Sequence, residues 1–194
     1  MKHLFRFSLV LALILTAGSV FAQKTYKFES VPGDPLNTRI YTLDNGLKVY
    51  LTVYKATPRI QTAIAVRTGS KNDPADNTGM SHYLEHMMFK GTTHFGTSDY
   101  QTEAVYLQQI EDLFETYRRT TDTLQRTAIY HRIDSISGLA AKYAIANEYD
   151  KLSSVIGAKG TNAFTSNEET VYINDIPSNE VENWLKIESD RFEN

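Results

Sequence analysis

The sequence predicts an α+β fold: a mixed, largely antiparallel sheet with helices packed on one face, plus an inserted helical hairpin. Three observations carry this prediction. Short β-rich runs stand at residues 40–43, 47–54 and 60–67, and again at 161–165 and 170–176. Between them lie long stretches whose apolar residues recur every three or four positions, the period of an amphipathic helix. The first two runs are separated by Asp44, Asn45 and Gly46, turn residues that accept positive φ and set up an antiparallel hairpin.

The N-terminus is predicted to be an address label. Lys2, His3 and Arg6 give a basic start, residues 7–17 form an apolar run too short to span a bilayer, and Val20-Phe21-Ala22 places small residues at the outer positions of a cleavage site. Cleavage after Ala22 would remove a signal peptide at 1–22 and start the mature chain at Gln23, in a periplasmic or secreted protein with no stable membrane anchor. An uncleaved anchor is the rival reading. Residues 23–194 then form one domain, and a chain of about this length buries roughly 70% of its unfolded surface without staples. Twenty Lys and Arg against 23 Asp and Glu give a net charge of −3 with no basic run, so no electrostatic footprint for nucleic acid exists. With no cysteine, disulfides, thiol nucleophiles and thiolate metal sites are excluded, and any metal must use His, Asp or Glu.

Residues 23–37, with Pro32, Gly33, Asp34 and Pro35, carry no period and read as an extended lead-in. After the hairpin, Pro58 breaks the chain. Residues 60–67 then alternate, with Ile60, Thr62, Ile64 and Val66 on one face of a strand. A polar loop at 69–78 leads to residues 79–91, GMSHYLEHMMFKG, read as a helix. Ser98 with Gln101 forms a capping box that opens a helix striped by Tyr100, Ala104, Leu107, Ile110, Phe114 and Tyr117. Asp122 with Gln125 opens a second helix, striped by Ile129, Ile133, Ile136, Ala140, Tyr143 and Asn147. Together they read as an antiparallel hairpin inserted at 98–150, or alternatively as a partner-binding coiled coil. Gly157 and Gly160 mark a loop, the strand pair at 161–165 and 170–176 follows, and Pro177-Ser178 opens a last helix with Val181, Trp184, Leu185 and Ile187 on its apolar face.

The chemistry concentrates at 79–91. Residues four apart lie one above the other on a helix, so His82 and His86 can share a metal ion. Glu85, beside the second histidine, is placed to reach a water at that metal without ligating it, the division of labour of a hydrolytic zinc site. Imidazole with no thiolate favours zinc over Mg or Ca and leaves Mn and Co open. Tyr83, Leu84, Met87, Met88 and Phe89 read as the face that anchors this helix in a core. His94 and His131 read as incidental.

This H-x-x-E-H order, with Arg67-Thr-Gly-Ser-Lys-Asn-Asp before it and Thr161-Asn-Ala-Phe-Thr-Ser-Asn-Glu-Glu-Thr-Val-Tyr172 after it, resembles the pitrilysin/insulinase family of zinc peptidases, which includes the mitochondrial processing peptidases. The resemblance implies an N-terminal domain of a zinc-dependent endopeptidase that hydrolyses extended peptides, with Zn2+ as cofactor, His82 and His86 as ligands and Glu85 as the catalytic proton carrier. It implies a third ligand, a glutamate, on a helix expected beyond Asn194. Glu168, Glu169, Glu188 and Glu193 are declined for that role, and the chain is expected to be the N-terminal piece of a longer protein that is inactive alone. It also implies that the 161–165 strand is an edge that pairs with the substrate backbone, making Asn162, Ala163 and Phe164 the substrate-binding candidates. From the pattern alone an inner strand is the alternative. A second homologous half, in the same or another chain, is the implied partner. The alternative function is a non-catalytic half that binds substrate or scaffolds an assembly.

Overall fold

The computed structural model describes residues 25–194, so the leader expected at 1–22 lies outside the described residues. Two compact units divide the chain, one running to Thr57 and one from Pro58 to Asn194.

The first unit is a three-stranded antiparallel sheet in the order β1-β2-β3, with β1 at Phe28–Glu29, β2 at Arg39–Thr42 and β3 at Lys48–Leu51. The Asn-Gly turn joins β2 to β3 as the sequence predicts, with Gly46 at φ +87°. The lead-in, expected to be extended and outside the regular structure, contributes β1. Phe28 pairs with Tyr41 across the ladder, their rings 5.7 Å apart, and Arg39 lies over the Phe28 face. A two-residue strand has no periodicity to detect, and its cross-strand partner decides it.

The second unit carries β4 (Arg59–Val66), β5 (Lys159–Thr165) and β6 (Thr170–Pro177) in the order β4-β6-β5, again antiparallel throughout. The α+β class therefore holds, with the strands divided between two small sheets. Every pairing described is antiparallel, in keeping with the largely antiparallel sheet expected. The helices are α1 (Met80–Met87), α2 (Tyr100–Arg119), α3 (Thr123–Ala140), α4 (Glu148–Val155) and α5 (Val181–Glu193). Central strand β6 is the most buried element: Val171, Tyr172 and Ile176 belong to the core, with Phe95, Ile133, Ile136, Ala140 and Tyr149 from the surrounding segments. Helices α1, α4 and α5 pack on β5 and β6.

Helices α2 and α3 form the predicted hairpin. Their connection is closed by Arg126, which donates to the carbonyls of Tyr117 and Thr120 at 2.9 Å and stacks 3.8 Å from the Tyr117 ring centre. Asp122 caps α3 as predicted, accepting from the Gln125 N–H. The cap of α2 is one residue later than predicted: Asp99 accepts from Thr102, while the Ser98 hydroxyl donates to the Tyr143 carbonyl. Helix α3 also ends at Ala140, short of the predicted Asn147. The chain turns at 141–143 and Ala144 instead forms an isolated antiparallel bridge with Thr97, with Ser98 N–H on Tyr143 O and Ile145 N–H on Gly96 O. Long-range pairing thus overrides the helical stripe, and Asn147 in the left-handed region starts α4, an element the sequence reading did not contain.

Candidate metal and catalytic centre

Gly79, the N-cap of α1, sits at φ +89° and has no side chain to receive the first N–H groups. Asp73 supplies that acceptor from the preceding loop. Its carboxylate takes the Gly79 N–H at 2.7 Å, the Ser81 N–H at 2.8 Å and the Ser81 hydroxyl at 2.6 Å. The Ser81 hydroxyl, followed by its N–H, holds the Asp73 carboxyl below the usual range, and the anion lies at the end of the helix where it opposes the macrodipole.

The loop that carries Asp73 is in turn fastened to the β5–β6 turn. Ser70 N–H donates to Ser166 O and Lys71 N–H to Asn167 O, the Ser70 hydroxyl reaches Asn167, and Lys71 pairs with Glu168. Gly69 makes this possible, because a Cβ there would fall 2.4 Å from Ser166 O and 2.6 Å from the Asn167 carbonyl carbon. Helix α1 and the strand pair are therefore held in register by backbone contacts.

On α1 the two imidazoles converge. His82 Nε2 and His86 Nε2 lie 3.1 Å apart, with ring centres separated by 4.7 Å. Two nitrogens bound at 2.0–2.1 Å to a tetrahedral zinc stand about 3.3 Å apart, so this pair fits a shared ion with a shift of a few tenths of an ångström. Without metal the same separation suits an N–H of one ring donating to the lone pair of the other. Both rings are exposed, whereas Glu85 is 6% exposed.

The face that anchors α1 differs from the expected one. Tyr83, Leu84 and Met87 are 65%, 56% and 43% exposed, and the buried residues are Ser81 and Glu85, four apart. The helix meets strand β5 through Glu85, which accepts from a strand hydroxyl, and meets the preceding loop through Ser81, whose hydroxyl lies between the Asp73 carboxylate and the Gly69 carbonyl. Apolar anchoring comes one turn later, where half-buried Phe89 packs edge-on against Tyr149 at 5.5 Å and near Tyr172 and Arg191.

Asn162, Ala163 and Phe164 lie on β5, which has a strand partner on one side only among the described strands. Asn162 is exposed, Ala163 half-buried, and Phe164 47% exposed. Next in line is Thr165, whose hydroxyl donates to Glu85 Oε2 at 2.5 Å. The sequence reading missed it; a threonine closing a β run carries no signal until the helix beside it is known.

Among the described residues, no third His, Asp or Glu joins His82 and His86 in a metal-holding group. Glu188, declined from sequence, is engaged elsewhere: it is buried, accepts from Tyr149 at 2.7 Å and pairs with Arg191. Glu168 pairs with Lys71, and Glu169 and Glu193 are exposed. His94 is tied to Asp190, which also accepts from Thr92, fastening the loop after α1 to α5. His131 is exposed on α3.

The family model described as Insulinase (Peptidase family M16) matches residues 49–108. The human insulin-degrading enzyme is 36% identical over 81 residues, which are 42% of this chain and 8% of that one. A Bacillus subtilis protein named "Uncharacterized zinc protease YmxG" is 36% identical over 53 residues, 27% of this chain and 13% of its own. Crystalline pitrilysin shares the fold with a TM-score of 0.51 at 17% identity, over 86% of this chain and 13% of the pitrilysin chain. Over residues 49–108 the chain is similar to the insulinase family of peptidases. It spans well under a fifth of the length of these relatives.

Proposed function

We propose that the chain is the metal-binding part of a zinc-dependent endopeptidase acting on extended peptides. The observation that carries this reading is the 3.1 Å approach of His82 Nε2 to His86 Nε2, with Glu85 one residue from His86 on the same helix. His82 and His86 would hold the ion, and the third ligand belongs to a glutamate outside these residues. Bound there, zinc supplies Lewis acidity for the peptide carbonyl and eases deprotonation of the attacking water. Glu85 receives that proton and delivers it to the leaving amine nitrogen. Asn162, Ala163 and Phe164 are proposed to align the substrate, their strand offering main-chain groups to an extended peptide and Phe164 an apolar contact.

The names of the zinc proteases among its relatives support zinc as the cofactor. The chain's small share of their length supports a further homologous half as partner. Among the described residues no helix is long and apolar enough to cross a membrane, and the leader-like segment at 1–22 supports a periplasmic or secreted location. Glu85→Gln in the full-length protein tests the mechanism. Peptide cleavage is expected to fall by roughly 10²–10⁴-fold with zinc content unchanged by metal analysis. Retained cleavage in that variant would transfer support to the non-catalytic half, which binds peptide without hydrolysing it.

A further inference from the structure

Glu85 is buried, yet its carboxylate is held by a single side chain. Thr165 donates to Oε2 at 2.5 Å, and Oε1 has no hydrogen-bond partner among the described residues. Oε1 is also not among the fully enclosed unpaired polar atoms, which are Trp184 Nε1 and Arg191 Nη1, so it keeps access to solvent. One oxygen is tied and the other is open.

The hydroxyl that ties it is itself directed. Thr165 Oγ1 lies 3.3 Å from Thr170 Oγ1, its neighbour across the β5–β6 ladder, and the Thr170 hydroxyl donates to the Thr68 carbonyl at 2.9 Å. A hydroxyl carries one proton. With the Thr170 proton committed to Thr68, the Thr165 proton has two acceptors, and the charged, much closer carboxylate is the stronger. Thr170 is 6% exposed, so water does not compete for this arrangement from the strand side.

We propose that Thr165 is the positioning residue of Glu85, fixing Oε2 so that Oε1 faces the reacting water, with Thr170 and the Thr68 carbonyl setting the direction of the Thr165 hydroxyl. This rests on the peptidase reading for its consequence in catalysis, but the placement of the carboxylate stands apart from it. Strand β5 thereby serves twice, since the strand that carries Asn162, Ala163 and Phe164 also orients the proton carrier with its last residue.

Two substitutions in the full-length protein test the proposal. Thr165→Val keeps the shape and loses the hydroxyl, and Thr165→Ser keeps the hydroxyl. In peptide hydrolysis, Thr165→Val is expected to lower kcat by roughly 10–100-fold with KM within about threefold and zinc content unchanged, and Thr165→Ser to recover most of the loss. A crystal structure of metal-free Thr165→Val is the second arm. Glu85 should leave its place or split between rotamers while His82 and His86 stay as they are. Unchanged kcat in Thr165→Val, equal damage in both variants, or an unmoved and ordered Glu85 would overturn the proposal. If the parent protein cleaves no peptide, the peptidase reading falls, and the crystallographic arm still decides whether Thr165 holds the carboxylate.

Discussion

A glycine at the N-cap leaves the first N–H groups of α1 without a local acceptor, and Asp73 provides one from six residues upstream. Asp73→Ala is therefore expected to lower the melting temperature by a few degrees and to weaken zinc retention, because His82 lies within the first turn. The pH dependence follows from the sign of the shift. The Asp73 carboxyl is lower in the folded chain than its ordinary value of 3.8, so its contribution is complete above that value and is lost as pH falls through the folded one. The melting-temperature gap between parent and Asp73→Ala should accordingly narrow as pH drops below about 4. A gap that widens in acid would remove Asp73 as the cap. None of this was legible in the sequence: His82, Glu85 and His86 announced themselves by spacing, while Asp73 and Thr165 act through partners 8 and 80 residues away. Helical spacing reports which residues share a face, but not which face the strands will cover, and so Tyr83 and Leu84 were expected inside.

At the scale of elements, the contact between the loop before α1 and the β5–β6 turn is set by absent volume at Gly69. Gly69→Ala inserts a methyl against backbone atoms that have no rotamer to yield, and is expected to destabilise the second unit by roughly 1–3 kcal/mol. Chemical denaturation measures the loss, and hydrogen exchange should show the earliest loosening at the Ser166 and Asn167 turn. Strand positions were read well because alternation and turn residues are local signals: β4 and β6 fall within one residue of the predicted runs at each end. Helix ends were read less well. Ser98 and Asp99 both have capping chemistry, and the Tyr143 carbonyl decides between them by occupying Ser98. The stripe past Ala140 is broken by pairing with residues 96–98, a contact that no window along the chain contains.

For the second unit as a whole, one buried ion pair joins β6, α4 and α5 to the segment after α1. Arg191, with its side chain 1% exposed, pairs with Glu188 and lies among the rings of Phe89, Tyr149, Tyr172 and Phe192 at 4.4–5.5 Å. Burial, and then the Glu188 charge, push the Tyr149 hydroxyl up to about 12, so it stays protonated and donates to Glu188. Arg191→Met alone should cost about 3–5 kcal/mol by stranding Glu188, and Arg191→Met with Glu188→Leu much less. The enclosed, unpartnered Arg191 Nη1 points in the same direction, since the native pair is incompletely satisfied. Thermal unfolding of the two variants checks the order, and a double variant weaker than the single would refute it.

The sheet order β4-β6-β5 also fixes a schedule. Val66 pairs with Thr170, so β4 leaves the ribosome about a hundred residues ahead of the strand it needs. At 5–20 residues per second that interval is roughly 5–20 s. During it α2 and α3 can close on each other, since Arg126 reaches carbonyls only six and nine residues back, whereas Ile60 and Ile64 have no ladder to join. The nascent chain thus carries a bare β template for several seconds, and a holding chaperone that recognises extended apolar segments would find it at 59–66.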